Sequence, residues 1–95
     1  MYIVITRTFP PDVGGMQNLM WGLSNELSKH HMIKVFAEYH DNHKNFDNDC
    51  SFSIERVGGI KIFRKYRKAN LINEFIKENK IEGVIADHWK SLELI

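Results

Sequence analysis

The stretch that decides the fold is residues 2–29, YIVITRTFPPDVGGMQNLMWGLSNELSK. Its first five residues, Tyr2 to Thr6, are nearly all apolar and rich in β-branched side chains, which reads as a strand buried on both faces. Phe9-Pro10-Pro11-Asp12-Val13-Gly14-Gly15 follows. Two prolines stop regular structure, and the double glycine permits backbone angles that other residues avoid. Then Met16, Leu19, Met20, Leu23 and Leu27 recur at helical spacing, which predicts a helix to about Lys29 with that stripe packed on a core. Strand, glycine turn and helix in this order are the first half of a β-α-β unit.

The remainder of the chain repeats the alternation. His31–Ala37 reads as a second strand, and Tyr39–Cys50 as a polar surface loop rich in Asn and Asp. Phe52–Val57 alternates apolar and polar, as a half-exposed edge strand does. Residues 61–79 read as a helix that is basic at its start and amphipathic after it. Ile81–Ala86 is a fourth strand, Asp87-His88-Trp89 a turn, and Ser91–Ile95 the start of another helix. Such alternation predicts a Rossmann-like α/β/α fold with a mostly parallel sheet. Right-handed crossovers give the strand order 3-2-1-4. Ligands on such sheets bind beyond the carboxyl ends of the strands where the order reverses. That point lies between strands one and four, and it receives Phe9–Gln17 and Asp87–Ser91.

Composition narrows the functional classes. The chain has 95 residues, 43% hydrophobic and 26% charged, as in one small soluble domain. Thirteen basic against twelve acidic residues leave a net charge of +1, unlike the strong basic excess of a nucleic-acid binder. No apolar run approaches the ~18 residues that cross a bilayer. The single cysteine, Cys50, cannot form an internal disulfide, and the N-terminus lacks the marks of a signal peptide. The expected compartment is the cytoplasm, with peripheral membrane contact as an option.

Three segments could carry chemistry. At Gly14 and Gly15, a helix N-terminus with unsatisfied N–H groups lets an anion approach the backbone, phosphate being the usual ligand. A plain strand-to-helix turn would also need the glycines. Neither a dinucleotide fingerprint nor a P-loop is present. The second segment is Lys61, Arg64, Lys65, Arg67 and Lys68, interleaved with Ile62, Phe63 and Tyr66. It reads either as a cationic contact for an anionic membrane or as a solvated helix start. The third is His40, Asp41, His43, Asp47, Asp49 and Cys50, whose spacing matches no zinc pattern; a polar loop is the ordinary reading, and no metal is expected.

The block ITRTFPPDVGGMQNLMWGLSNELSKHHMIKVFA, residues 5–37, resembles the start of the retaining glycosyltransferases of the GT-B fold, the family 4-like group of mannosyl- and glucosyltransferases. NKIEGVIADHWKS, residues 79–91, resembles the same family's later strand and turn. The resemblance implies two Rossmann-like domains across a cleft, of which this chain is part of the acceptor-side N-terminal one. It implies a nucleotide-sugar donor, a glycan or lipid acceptor and no cofactor. Gly14 and Gly15 would lie against the donor diphosphate, Met16 and Gln17 would line the acceptor side, and His88 would match the family histidine near the reacting sugar. The sequence departs from the family at two points. His30 or His31 stands where a helix-ending glycine is usual, and Ala86 stands where a second histidine often precedes the active one. With the donor domain and its paired glutamates missing, the chain is expected to be inactive alone. The apolar strand Ile81–Ala86 would leave a sheet edge through which a non-catalytic module could form a homodimer.

Overall fold

The computed structural model describes every residue from Met1 to Ile95. Four strands, β1 (Tyr2–Ile5), β2 (Ile33–Glu38), β3 (Ser53–Val57) and β4 (Gly83–Ala86), form one sheet in the order β3-β2-β1-β4. All three strand pairs are parallel, with Tyr2 opposite both Ile33 and Gly83. The expected α/β topology and strand order are therefore those of the structure.

Alternation along the strands builds two cores. Val4, Ile33, Val35 and Ala37 point to one face, where they meet Phe9, Met20 and Phe52. Ile3, Ile5 and Phe36 point to the other, where they meet Ile72. Helix α1 (Gly15–Ser28) covers the first face and α3 (Lys61–Glu78) the second. The double burial of β1 follows from this: Ile3, Val4 and Ile5 are each fully buried.

The stripe on α1 differs from the expectation. Met20 is buried and Leu27 packs on the core, but Met16, Leu19 and Leu23 are 45%, 55% and 42% exposed. The helix is rolled so that Ser24 faces the sheet instead. Ser24 is fully buried, and its hydroxyl donates to the Met20 carbonyl at 2.8 Å, which satisfies it inside the helix. A small side chain there lets the helix lie close to the strands, while the half-buried Trp21 packs against the same core.

The Tyr39–Cys50 segment is also corrected, because His43–Asp49 forms a short helix, α2. Its apolar contribution is the single residue Phe46, edge-on to Phe9 with ring centroids 6.2 Å apart. One aromatic in seven residues gives no periodicity to read. The helix is held from outside, through Asp47. At the other end of the chain, the expected helix start is a 3-10 turn over Trp89–Leu92. Where a helix-ending glycine is missing, α1 closes on right-handed Lys29, and the N–H groups of His30 and His31 both donate to the Leu27 carbonyl. The tightened turn satisfies the carbonyl without a left-handed residue.

Candidate functional site

The carboxyl ends of β1 and β4 are joined side by side. The Asp87 N–H donates to the Ile5 carbonyl at 3.2 Å, extending the β1–β4 ladder by one step. The Asp87 carboxylate then folds back into the gap between the strands, where its side chain is 2% exposed. It accepts from Ser91 Oγ at 2.6 Å, the Arg7 N–H at 3.1 Å and Thr6 Oγ1 at 3.2 Å, with Arg7 Nε 3.6 Å away. Burial by itself would raise the Asp87 pKa; the hydrogen bonds from Ser91, the Arg7 amide and Thr6 outweigh it and hold the group below the usual carboxylate range. Thr6, fully buried, divides its one hydroxyl proton between Asp87 and the closer Thr8 carbonyl at 2.8 Å. Asp87 thus fixes the two loops at the point where the strand order reverses.

The glycine turn stands on the β1 side of this junction. Gly14 is extended, and its carbonyl accepts from the Asn18 N–H at 3.1 Å. A methyl group on Gly14 would collide with the Gln17 side-chain amide, which folds back over it. A methyl on Gly15 would meet nothing within 4 Å, so packing does not require glycine there. No side chain caps α1 and no acid lies in its first turn, so its leading N–H groups face outward without a side-chain partner. Met16 is exposed and Gln17 half-buried.

His88 stands on the β4 side. Its Nδ1 accepts from the Lys90 N–H at 3.1 Å, which makes it the N-cap of the 3-10 turn and leaves Nε2 to carry the proton of the neutral ring. The ring lies 5.6 Å from that of Trp89, itself 67% exposed.

Arg56 is the residue that the sequence reading missed. Alternation along β3 puts it on the face of Phe52 and Ile54, where a charge is unexpected, and its side chain is 3% exposed. Its guanidinium forks onto Asp47, with Nη2 to Oδ1 at 2.8 Å and Nε to Oδ2 at 3.2 Å. It also donates to the carbonyls of Glu38 and Pro10 and lies 5.8 Å over the Phe9 ring. One buried cation therefore ties β2, β3 and α2 to the loop that carries the glycines. The signal available in the sequence was its place two residues after Ile54 and four after Phe52, a charge at an inward position of the strand.

The polar residues of the 40–50 segment are not gathered around one point. His40 Nε2 faces Asp12 at 3.1 Å, His43 Nδ1 faces Asp47 at 2.9 Å, and Cys50 Sγ donates to the Phe46 carbonyl at 3.4 Å. No group of three such side chains is placed to share an ion. Burial pushes the Cys50 thiol pKa up, away from reactivity.

Of the basic cluster on α3, Lys61, Arg64, Lys65 and Lys68 border one concavity, while Arg67 does not line it. Lys68 is 8% exposed and donates to the Thr6 carbonyl at 2.7 Å, so most of its side chain lies against the end of β1 rather than in open solvent. Arg64 pairs with Glu38 at 3.3 Å, Lys65 pairs with Glu93, and Arg67 donates to the Gly58 carbonyl at 3.2 Å. The outward side of this turn of helix carries Ile62, Phe63 and Tyr66, at 73%, 65% and 58% exposure. No helix of the chain is long and apolar enough to cross a membrane.

No protein-family model matches the chain, and no curated protein or solved structure matches it either.

Proposed function

We propose that this chain is part of the acceptor-side N-terminal domain of a nucleotide-sugar-dependent glycosyltransferase of the GT-B type. The observation that carries the reading is the juxtaposition of two loops at the reversal of strand order. The uncapped α1 N-terminus behind Gly14–Gly15 and the Asp87–His88 segment follow adjacent parallel strands and are tied together through Asp87. Backbone N–H groups there suit a donor diphosphate. In this reading Gly14 and Gly15 form one wall of the phosphate site, Met16 and Gln17 line the acceptor side, and His88 presents Nε2 toward the reacting sugar. The opposite wall belongs to a donor domain outside these residues, so the chain alone transfers no sugar. A glycan or lipid acceptor on the cytoplasmic side of a membrane fits the reading, and no metal is required by it.

The test is an amide-resolved NMR titration of the isotope-labelled chain with UDP-glucose and GDP-mannose, alongside an assay of donor turnover. Weak binding that perturbs Gly14 to Gln17 and His88, without turnover, is the expected result. Perturbation that avoids both loops overturns the assignment. Robust transfer by the chain alone keeps the family and removes the claim that the domain is incomplete. A downstream coding sequence with a second Rossmann-like half and paired glutamates is the independent check.

A second reading, a non-catalytic module that associates through β4, draws on the exposure of Val84 at 44% on that edge strand. Light scattering after size exclusion decides it, since a clean monomer at high concentration argues against association. Contact of Ile62, Phe63 and Tyr66 with an anionic bilayer is compatible with either reading. Sedimentation with anionic and neutral vesicles measures it, and equal binding to both removes the electrostatic version.

A further inference from the structure

Positive charge on this chain is concentrated in one place. A concavity of about 370 Å³ lies between the first half of α3, the ends of β1 and β2, and residues 90–95. Six cations line it, Arg7, Lys61, Arg64, Lys65, Lys68 and Lys90, against the two carboxylates of Glu38 and Glu93. The excess of four contrasts with a net charge of +1 for the whole chain. Even with Asp87 counted beneath Ser91, the excess is three.

The ion pairs do not neutralise it. Arg64 is taken by Glu38, Lys65 by Glu93, and Arg7 leans on Asp87. Lys61, Lys68 and Lys90 line the same space without a carboxylate partner. Lys68 is the telling member. It is nearly buried, its ammonium has a single acceptor in the Thr6 carbonyl, and an ammonium carries three donors. Removing such a group from water is costly unless an anion or further acceptors face it. The positive end of α3 adds to the field, because the helix starts at Lys61 on the same rim with no side-chain cap and no acid in its first turn.

We infer that this concavity is a binding site for a compact, multiply charged phosphate group, held by Lys68, Lys90 and Lys61. It lies on the α3 face and is distinct from the glycine turn that opens α1, so it does not rest on the glycosyltransferase reading. Its size is at the lower end of small-molecule sites. Ala69 and Ile72 give it a short apolar floor, which suits the carbon skeleton of a phosphate ester. Enclosure on three sides and only three unpaired cations favour a small anion over a polynucleotide, which needs an extended basic track. The recognised chemistry is the phosphate itself, carried by a soluble ester or by a lipid headgroup.

The test uses inorganic pyrophosphate as probe, titrated into the full chain at constant ionic strength with amide-resolved NMR. Saturable shifts at Arg7, Lys68, Lys90 and Ser91 are expected. Lys68→Met and Lys90→Ala should each weaken binding by about tenfold, the worth of one charge-assisted contact. Lys77→Ala, which removes the same charge from the far end of α3, should change affinity by less than about twofold, since exposed charges at that range are screened. Circular dichroism checks that Lys68→Met folds; Lys61→Ala with Lys90→Ala carries the test otherwise. Equal weakening by Lys77→Ala, shifts confined to Gly14–Gln17, or no saturation with either source overturns the inference. Sedimentation with phosphatidylcholine vesicles with and without phosphatidic acid separates the sources. Binding to phosphatidic acid that is lost in Lys90→Ala supports a headgroup, and pyrophosphate binding supports a soluble ester.

Discussion

The ammonium of Lys68 on α3 and the carbonyl oxygen of Thr6 at the end of β1 are 2.7 Å apart, in a nearly dry position. Helix and sheet are thus pinned together at the rim where both candidate sites lie. Burial depresses the Lys68 pKa, with Glu38 and Asp87 pulling it back up and Arg64 and Arg7 pushing it down again. Between this depressed value and the ordinary ~10.4, the unfolded chain holds the proton more firmly than the folded one, so stability rises with pH in that window. Lys68→Met deletes the contribution. At neutral pH the variant should be within about 1 kcal/mol of the parent, because an apolar side chain offsets the lost hydrogen bond. Urea denaturation at neutral and alkaline pH should show the parent gaining on the variant as pH approaches 10; a constant difference refutes the account.

Asp87 carries the opposite charge and tests the junction of the two loops. Its folded pKa is below the unfolded value, so its stabilisation is fully present above about pH 4 and fades as pH falls through the folded pKa. Asp87→Asn keeps the shape but turns an amide donor toward the Arg7 N–H. The expected cost is about 2 kcal/mol at neutral pH. Thermal melts of both proteins should converge on acidification, and an undiminished gap in acid would contradict the assignment.

Arg56 and Asp47 should behave as a coupled pair. Breaking a buried ion pair by removing one partner costs about 3 kcal/mol or more, so Arg56→Ala and Asp47→Ala should each destabilise strongly. The double variant should be far better than the sum. Arg56→Lys should rescue little, since an ammonium cannot make the two-pronged contact. Faster hydrogen exchange at Gly14 and Gly15 in Arg56→Ala would report the loss of the Pro10 carbonyl anchor, and unchanged exchange there would remove Arg56 from the site.

Two glycines separate packing from function. A Cβ on Gly83 would sit 2.7 Å from the Tyr2 ring, so Gly83→Ala must displace a packed aromatic. A cost of about 1–3 kcal/mol is expected, a fall in melting temperature on the order of 5–15 °C. Gly15→Ala has open space and should be neutral or slightly stabilising, by about 0.5 kcal/mol. The same methyl stands where a phosphate would approach the α1 N-terminus, so donor-induced shifts at Gly14–Gln17 should be lost while the melt is unchanged. Retained shifts would count against the diphosphate role of Gly15.

By itself the sequence determined the layers and the order of the sheet. Alternating buried strands and long helical repeats leave few ways to hide their apolar faces, and right-handed crossovers select 3-2-1-4 among them. That order also delivered Phe9–Gln17 and Asp87–Ser91 to one rim. Tertiary structure decided what periodicity does not encode. Which side of α1 packs depended on how closely Ser24 lets it approach the sheet, not on how apolar its stripe is. Whether His43–Asp49 is helical depended on a guanidinium arriving from β3. Which lysine of the 61–68 cluster is buried depended on the rotation of α3 over the end of β1. Charge and polarity are visible in a sequence, but a partner supplied by another element appears only when the chain has folded, which is why the contacts of Arg56 with Asp47 and of Lys68 with Thr6 were not legible in it.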